Sequence, residues 1–161
     1  MKKSGCRLIH FGVETGSKNM MKLIHKNITL DKIRKGIELT HQAGIHSVCF
    51  FMFGLPGETV EDMKKTIAFA KELNPTYASF HVATPYDHTE FYEMVKERLT
   101  EPEDFFNRAY TGEFSEEELN RWVRRAFLSF YLRPGYALTR LLQEKPWNWL
   151  KVFRLFVHYI R

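Results

Sequence analysis

The stretch 49–59, CFFMFGLPGET, limits what this chain can fold into more than any other. Residues 47–53 form an apolar and aromatic run with no polar residue alternating in, the pattern of a strand buried on both faces. Gly54 ends the run. Pro56, Gly57 and Glu58 then turn the chain into a helix that opens with the capping pair Thr59 and Asp62. A buried strand that passes through a glycine turn into a helix N-terminus is the unit of a parallel α/β sheet. In such sheets ligands collect at the carboxyl ends of the strands, where glycine lets the backbone approach a flat or anionic group. An ordinary turn that binds nothing has the same signature.

The unit recurs. Residues 7–13 read as a short strand with Leu8, Ile9, Phe11 and Val13, ending in Glu14-Thr15-Gly16-Ser17, and Gly12 within it suggests a close backbone approach. Met20, Met21, Leu23 and Ile24 line a short helix. Thr29 caps a helix over 30–42 with Ile33, Ile37 and Leu39 or Thr40 turned inward. The helix after the central strand covers 60–73, with Met63, Ile67, Ala70 and Leu73 on one face. A third strand, 77–83, leads into TPYDHTE and a helix over 90–98. Three successive βα units imply parallel pairing with right-handed crossovers, so the loops ETGS, GLPGET and TPYDHTE should lie side by side. Three parallel strands leave two bare edges, which points to a piece of a larger barrel or doubly wound sheet, a standalone fold being the alternative.

Beyond residue 99 the pattern changes. Residues 100–114 read as a surface connection, and a second capping pair, Ser115 and Glu118, opens a helix striped with Leu119, Trp122, Val123, Ala126, Phe127 and Phe130. Arg133-Pro134-Gly135 interrupts it, 136–143 is helical again, and 147–160 is amphipathic. Charge is divided in the same way. Residues 90–118 hold ten acids against three bases, whereas 121–161 hold nine bases and one acid, Glu144. Within 146–161, Trp147, Trp149, Phe153, Phe156 and Tyr159 alternate with Lys151, Arg154 and Arg161, a mixture suited to an anionic membrane surface. It would suit single-stranded nucleic acid in principle, although no nucleic acid partner is expected; a helix that packs its aromatic face inward is the plainer alternative. No apolar run approaches the roughly 18 residues of a membrane span and the first residues lack a signal-peptide core, so the expected location is cytoplasmic, with peripheral contact at the inner membrane face through 146–161. Cys6 and Cys49 show no metal-ligand spacing and read as reduced, packed thiols.

Taken in order, several of these motifs resemble the C-terminal half of the radical S-adenosylmethionine (radical SAM) barrel, most closely the branch in which a cobalamin-binding domain precedes the barrel. The matching residues are Gly5-Cys6, Phe11-Gly12-Val13-Glu14-Thr15-Gly16-Ser17, Leu23-Ile24-His25-Lys26, Ala43-Gly44-Ile45 and 51–59. Thr84-Pro85-Tyr86, Thr89-Glu90-Phe91-Tyr92 and 130–134 continue the match, which covers roughly residues 4–140. The resemblance implies an α/β fold: a partial (β/α) TIM-like barrel of about three parallel units over 1–99, then a helical extension with a basic aromatic tail over 100–161. In that family a [4Fe-4S] cluster on three cysteines spaced CxxxCxxC binds S-adenosylmethionine and cleaves it to a 5′-deoxyadenosyl radical. That triplet is absent from this sequence. The expectation is therefore a chain lacking the cluster strands and the cobalamin domain, inactive alone and completed by the other barrel half in cis or in trans.

The resemblance places Glu14, Thr15 and Ser17 near the ribose and methionyl group of S-adenosylmethionine, Lys26 against its carboxylate, and Met52, Gly54, Leu55 and Thr84 around its adenine. It turns His81 and Tyr86 toward a small-molecule, lipid-like or tetrapyrrole-like substrate. Each has a plainer alternative: Glu14 and Ser17 as helix caps, Met52 as core, Lys26 as a solvated lysine, His81 as a structural histidine. Asp87-His88 stand where members of the family often show Pro-Gly. Two other functions compete with the radical enzyme. One is a non-catalytic module that docks through the basic aromatic C-terminus; the other is a nucleotide-binding protein using 54–58 as an anion loop, which lacks the Lys-Ser or Lys-Thr that grips phosphate.

Overall fold

The computed structural model describes residues 1–99 and 112–143. Its sheet contains three strands, β1 (Leu8–Glu14), β2 (His46–Phe53) and β3 (Tyr77–Val82), in the order β1-β2-β3 with both pairs parallel. Leu8 pairs with His46 and Gly12 with Phe50, while Val48 pairs with Tyr77 and Phe53 with Val82. Helices α1 (Lys18–Leu23) and α2 (Leu30–Gln42) connect β1 to β2, and α3 (Val60–Leu73) connects β2 to β3. After β3 come α4 (Glu90–Val95), extended by a 3-10 turn over Lys96–Arg98, then α5 (Glu116–Tyr131) and α6 (Pro134–Gln143). The expected α/β fold of three parallel βα units is the observed one. The last helix begins at the proline itself, whose fixed φ suits a first helical position. The tail 146–161 lies outside the described residues, as does most of the connection expected over 100–114.

Alternation decides where the core sits. Val13, Cys49, Phe51, Phe53, Ala78 and Phe80 point to one side, where α2, α3 and α5 cover them with Ile33, Ile37, Met63, Ile67, Ala70, Leu119, Ala126 and Phe130. Phe80 stacks on Phe51 and Phe53 at 5.3 and 6.2 Å between ring centroids, and the edge of Phe130 closes that row at 6.2 Å. On α2 the inward choice between Leu39 and Thr40 falls to Thr40, whose hydroxyl donates to the Gly36 carbonyl; Leu39 is 52% exposed. Helix α5, assigned from sequence to a C-terminal extension, packs into the same core as the sheet.

One expectation is corrected. β2 is not buried on both faces: Ser47, Cys49, Phe51 and Phe53 are buried, but Val48, Phe50 and Met52 are only half-buried. Helices α2, α3 and α5 lie on one side, and the other face carries His10, Gly12, Phe50, Ser79 and His81, all exposed or half-buried.

The outer edge of β3 is occupied by side chains. The Tyr131 hydroxyl accepts from the Ala78 N–H at 3.1 Å and donates to the Ala78 carbonyl at 2.8 Å, while Tyr136 donates to the Thr76 carbonyl at 2.8 Å. One phenol thus takes the donor and acceptor that another strand would use. Tyr131→Phe is expected to cost about 1 kcal/mol in urea unfolding and to speed amide exchange at Ala78; unchanged exchange there would show that the hydroxyl does not hold this edge.

Candidate functional site

The three strand-end loops meet as the sequence predicts. Met20 from α1, Leu55 after β2 and Ala83 after β3 form a second, smaller apolar cluster, against which Ile24, Met52 and Phe91 pack. His25 Nδ1 lies 3.0 Å from a carboxylate oxygen of Glu90, joining the turn after α1 to the start of α4.

The first loop is built on a bulge. The β1 register shifts between Gly12 and Glu14, and Glu14 adopts φ 67°, a left-handed conformation that costs a side-chain-bearing residue of order 1 kcal/mol. This folds the Glu14 carboxylate back over Gly12, where an added Cβ would lie 2.6 Å from Oε1. Lys26 Nζ donates to Oε1 at 2.9 Å. The second oxygen, Oε2, is buried and has no hydrogen-bond partner. A carboxylate held by one lysine with an empty buried acceptor is ready for a hydroxyl donor.

Thr15 and Ser17 are placed differently. Both are buried, and their hydroxyls are used within the protein. Thr15 Oγ1 shares a hydrogen bond with Thr66 Oγ1 at 3.1 Å and accepts from the Ser17 N–H. Ser17 Oγ donates to Asp62 at 2.6 Å and accepts from the Met20 N–H, capping α1. Their side chains position the loop, and the caps weighed from sequence are present for Ser17 but not for Glu14. Asp62 also closes the capping box with Thr59. Burial pushes its carboxyl up, but hydrogen bonds from Ser17 and Thr59, with the charge of Lys65, outweigh burial and leave its pKa lowered.

The second loop turns on a residue that the sequence reading did not single out. Glu58 is 2% exposed, and its Oε2 accepts from the N–H groups of Gly54 at 2.6 Å and Leu55 at 3.3 Å. Its Oε1 is buried without a partner. Burial pushes the carboxyl up to about 7, against the two N–H donors and with the nearby charge of Asp62 adding to the rise. Gly54 has φ 85°, and a Cβ there would meet Leu119 Cδ1 at 2.7 Å, so α5 packs directly on this turn. Leu55 is buried in the loop cluster, whereas Met52 is half-buried on the open face beside it.

On β3, His81 is the register partner of Met52, stacks on Phe50 at 6.0 Å, and shares a 2.7 Å hydrogen bond with Ser79. His10, not anticipated from sequence, lies on the other side of Phe50 at 5.5 Å, giving a row of three rings across the open face. Strand alternation, 10 and 12 against 11 and 13, was the signal for it. Thr84 is half-buried after β3 and Tyr86 is 51% exposed, its carbonyl accepting from Thr89. His88 holds φ 64°, the left-handed geometry glycine favours, at the position expected to differ from the family's Pro-Gly.

A description of the radical SAM superfamily matches residues 1–70. An uncharacterised methyltransferase of Pyrococcus horikoshii is 34% identical over 153 residues, 89% of this chain and 33% of the relative. This chain belongs to the radical SAM superfamily. A second relative, the cytidylyl-2-hydroxyethylphosphonate methyltransferase of Streptomyces wedmorensis, is 27% identical over 92% of the chain and 30% of its own length. The radical SAM chain thus spans about a third of the curated relatives it matches. Among solved structures, an N-terminally truncated Elp3 of Methanocaldococcus infernus superposes with a TM-score of 0.58 over 77% of this chain and 27% of its own, at 24% identity, a likeness of fold.

The family's iron–sulfur cluster does not fit the residues present. The sequence has two cysteines, and Cys49 is buried in the core with its thiol pushed up to about 12 by burial. Among the described residues no group of three or more His, Cys, Asp or Glu is arranged to hold a metal ion, and no helix is long and apolar enough to cross a membrane.

Proposed function

We propose that this chain is the S-adenosylmethionine-binding portion of a radical SAM enzyme that acts by methyl transfer, cyclisation or rearrangement on a lipid-like or tetrapyrrole-like substrate. The cluster ligands and remaining barrel strands come from elsewhere, in cis or in trans, and the isolated chain is inactive. Relatives named as methyltransferases favour methyl transfer, and with it cobalamin as a further cofactor.

The observation that carries this reading is the buried, unpartnered Oε2 of Glu14 at a strand's carboxyl end. Lys26 secures the other oxygen, so Oε2 is left to accept from a ribose hydroxyl. Met52 lies along the open face next to the Gly54–Leu55 turn, where a polarizable thioether and exposed backbone suit a flat base. Thr15 and Ser17 position Glu14, Thr84 joins Met52 and the turn on the adenine side, and His81 and Tyr86 face the substrate side.

The test needs no cluster. Adenosine and 2′,3′-dideoxyadenosine are titrated into the chain and amide shifts of residues 14 and 52–55 are followed by NMR. Adenosine should bind about tenfold more tightly, the worth of a hydrogen bond to a charged acceptor, and Glu14→Gln should remove most of that preference while leaving the dideoxy affinity unchanged. Equal binding of the two nucleosides by the unsubstituted chain would refute the ribose role.

A further inference from the structure

On the outer face of α5 exposed arginines stand beside apolar side chains with no acid between them. Six other described bases are ion-paired, Arg34 with Asp31 and Glu72, Lys26 with Glu14, Lys35 with Glu38, Lys64 with Glu61, Lys65 with Asp62 and Lys96 with Glu93, while others such as Lys18, Lys22 and Lys32 are not. Arg124 and Arg125 are exposed and form no ion pair with a described residue; Arg125 instead lies 5.0 Å over the ring of Trp122. The acids of α5, Glu116, Glu117 and Glu118, are confined to its first turn, where they complement the helix N-terminus.

Toward the other end the outer face becomes apolar. Arg124, Arg125, Leu128, Ser129 and Leu132 line a shallow cleft of about 490 Å³ with no acid in it. Leu132 is 59% exposed and, on α6, Leu138 is 60% exposed. The chain that continues from this end keeps the same chemistry in its sequence, with bases among tryptophans and phenylalanines over 145–161 and nine bases to one acid over 121–161.

We propose that the outer face of α5 docks on an anionic lipid surface, Arg124 and Arg125 lying among the headgroups and Leu128 and Leu132 contacting the acyl boundary. Charge complementarity selects this occupant: unpaired arginines beside exposed leucines match a surface that is negative outside and apolar beneath. The inference is independent of the nucleoside-binding reading, since no residue is shared and the assay contains no nucleoside.

The full chain is sedimented with sucrose-loaded vesicles of phosphatidylcholine alone or mixed with phosphatidylglycerol. It should partition only to the phosphatidylglycerol vesicles, more weakly as salt rises. Each arginine contributes about fivefold to partitioning, so R124E/R125E should lower it at least about 25-fold. Leu132→Ser should lower it by a smaller factor. R124Q/R125Q, with an unchanged thermal melt, separates lost contact from lost fold and should fall between wild type and the double reversal. The proposal is overturned if the double reversal partitions like wild type, which would assign any binding to another segment. Equal partition to both vesicle types, or to neither, would also overturn it.

Discussion

Gly16→Ala should be among the most damaging single substitutions in this chain, lowering unfolding free energy by about 3 kcal/mol and the melting temperature by roughly 10 °C. An added Cβ would sit 2.6 Å from Phe69 Cβ, 2.7 Å from the Lys65 carbonyl and 2.9 Å from Thr66 Cα. Two of these three are helix backbone, so no side chain can swing aside to make room. The loop would have to lift off α3, and three bonds would go with it: Gly16 N–H to Thr66 Oγ1 at 3.0 Å, the Thr15–Thr66 contact, and the Ser17 hydroxyl on Asp62. The last leaves a buried carboxylate short of a donor, which adds to the overpacking cost. Because Glu14 is held by the same loop, the preference for adenosine should fall together with stability. Gly135→Ala is the control. Nothing lies within 4 Å of its added Cβ, and it sits in a helix, so its effect should be neutral or slightly stabilising. Urea unfolding of the two variants checks this, and a Gly16→Ala chain as stable as wild type would mean that the loop is not seated on α3.

Local chemistry made most of the fold legible. Thr29, Thr59 and Ser115 fix the starts of α2, α3 and α5 through bonds between neighbours in sequence, so the capping residues were readable without a tertiary structure. The exposure of one face of β2 was not readable. Val48, Phe50 and Met52 are as apolar as Cys49, Phe51 and Phe53, and nothing in the residues says that α2, α3 and α5 all cover the same face. At the site, Glu14 stood out as a carboxylate closing a strand. Its empty oxygen depends on a left-handed φ and on a lysine twelve residues away, neither of which is a local pattern. Ser17 was ambiguous between cap and ligand because both uses ask for a short hydroxyl at a helix start. Glu58 was passed over as a turn residue, although a carboxylate four places after Gly54 has the reach to bind the N–H groups its own turn exposes.

Glu58 should give the fold an unusual dependence on pH. A carboxyl with an ordinary value of 4.5 that burial pushes up to about 7 binds its proton more tightly in the folded chain than in the unfolded one. Its contribution is therefore fully present below pH 4.5 and is lost as pH rises through about 7. The rise from 4.5 to about 7 corresponds to about 3 kcal/mol. Asp62, close by, acts in the opposite sense. Its value is lowered because the hydrogen bonds from Ser17 and Thr59 outweigh burial, so its contribution is present above 3.8 and lost as pH falls through its lower folded value. The two carboxyls together favour folding most strongly near pH 4 to 5, where Asp62 is ionised and Glu58 is not. Glu58→Gln keeps an oxygen for the Gly54 and Leu55 N–H groups and removes the titration. Unfolding free energies of wild type and Glu58→Gln, measured between pH 4.5 and 8, should therefore move apart by about 3 kcal/mol, with wild type losing ground as pH rises. Parallel profiles would mean that Glu58 is already ionised at acid pH, with its charge stabilised by the two N–H donors. Divergence would tie the Gly54–Leu55 turn, which flanks Met52 on the open face, to a single proton near neutrality, and nucleoside affinity should then weaken over the same pH range in wild type alone.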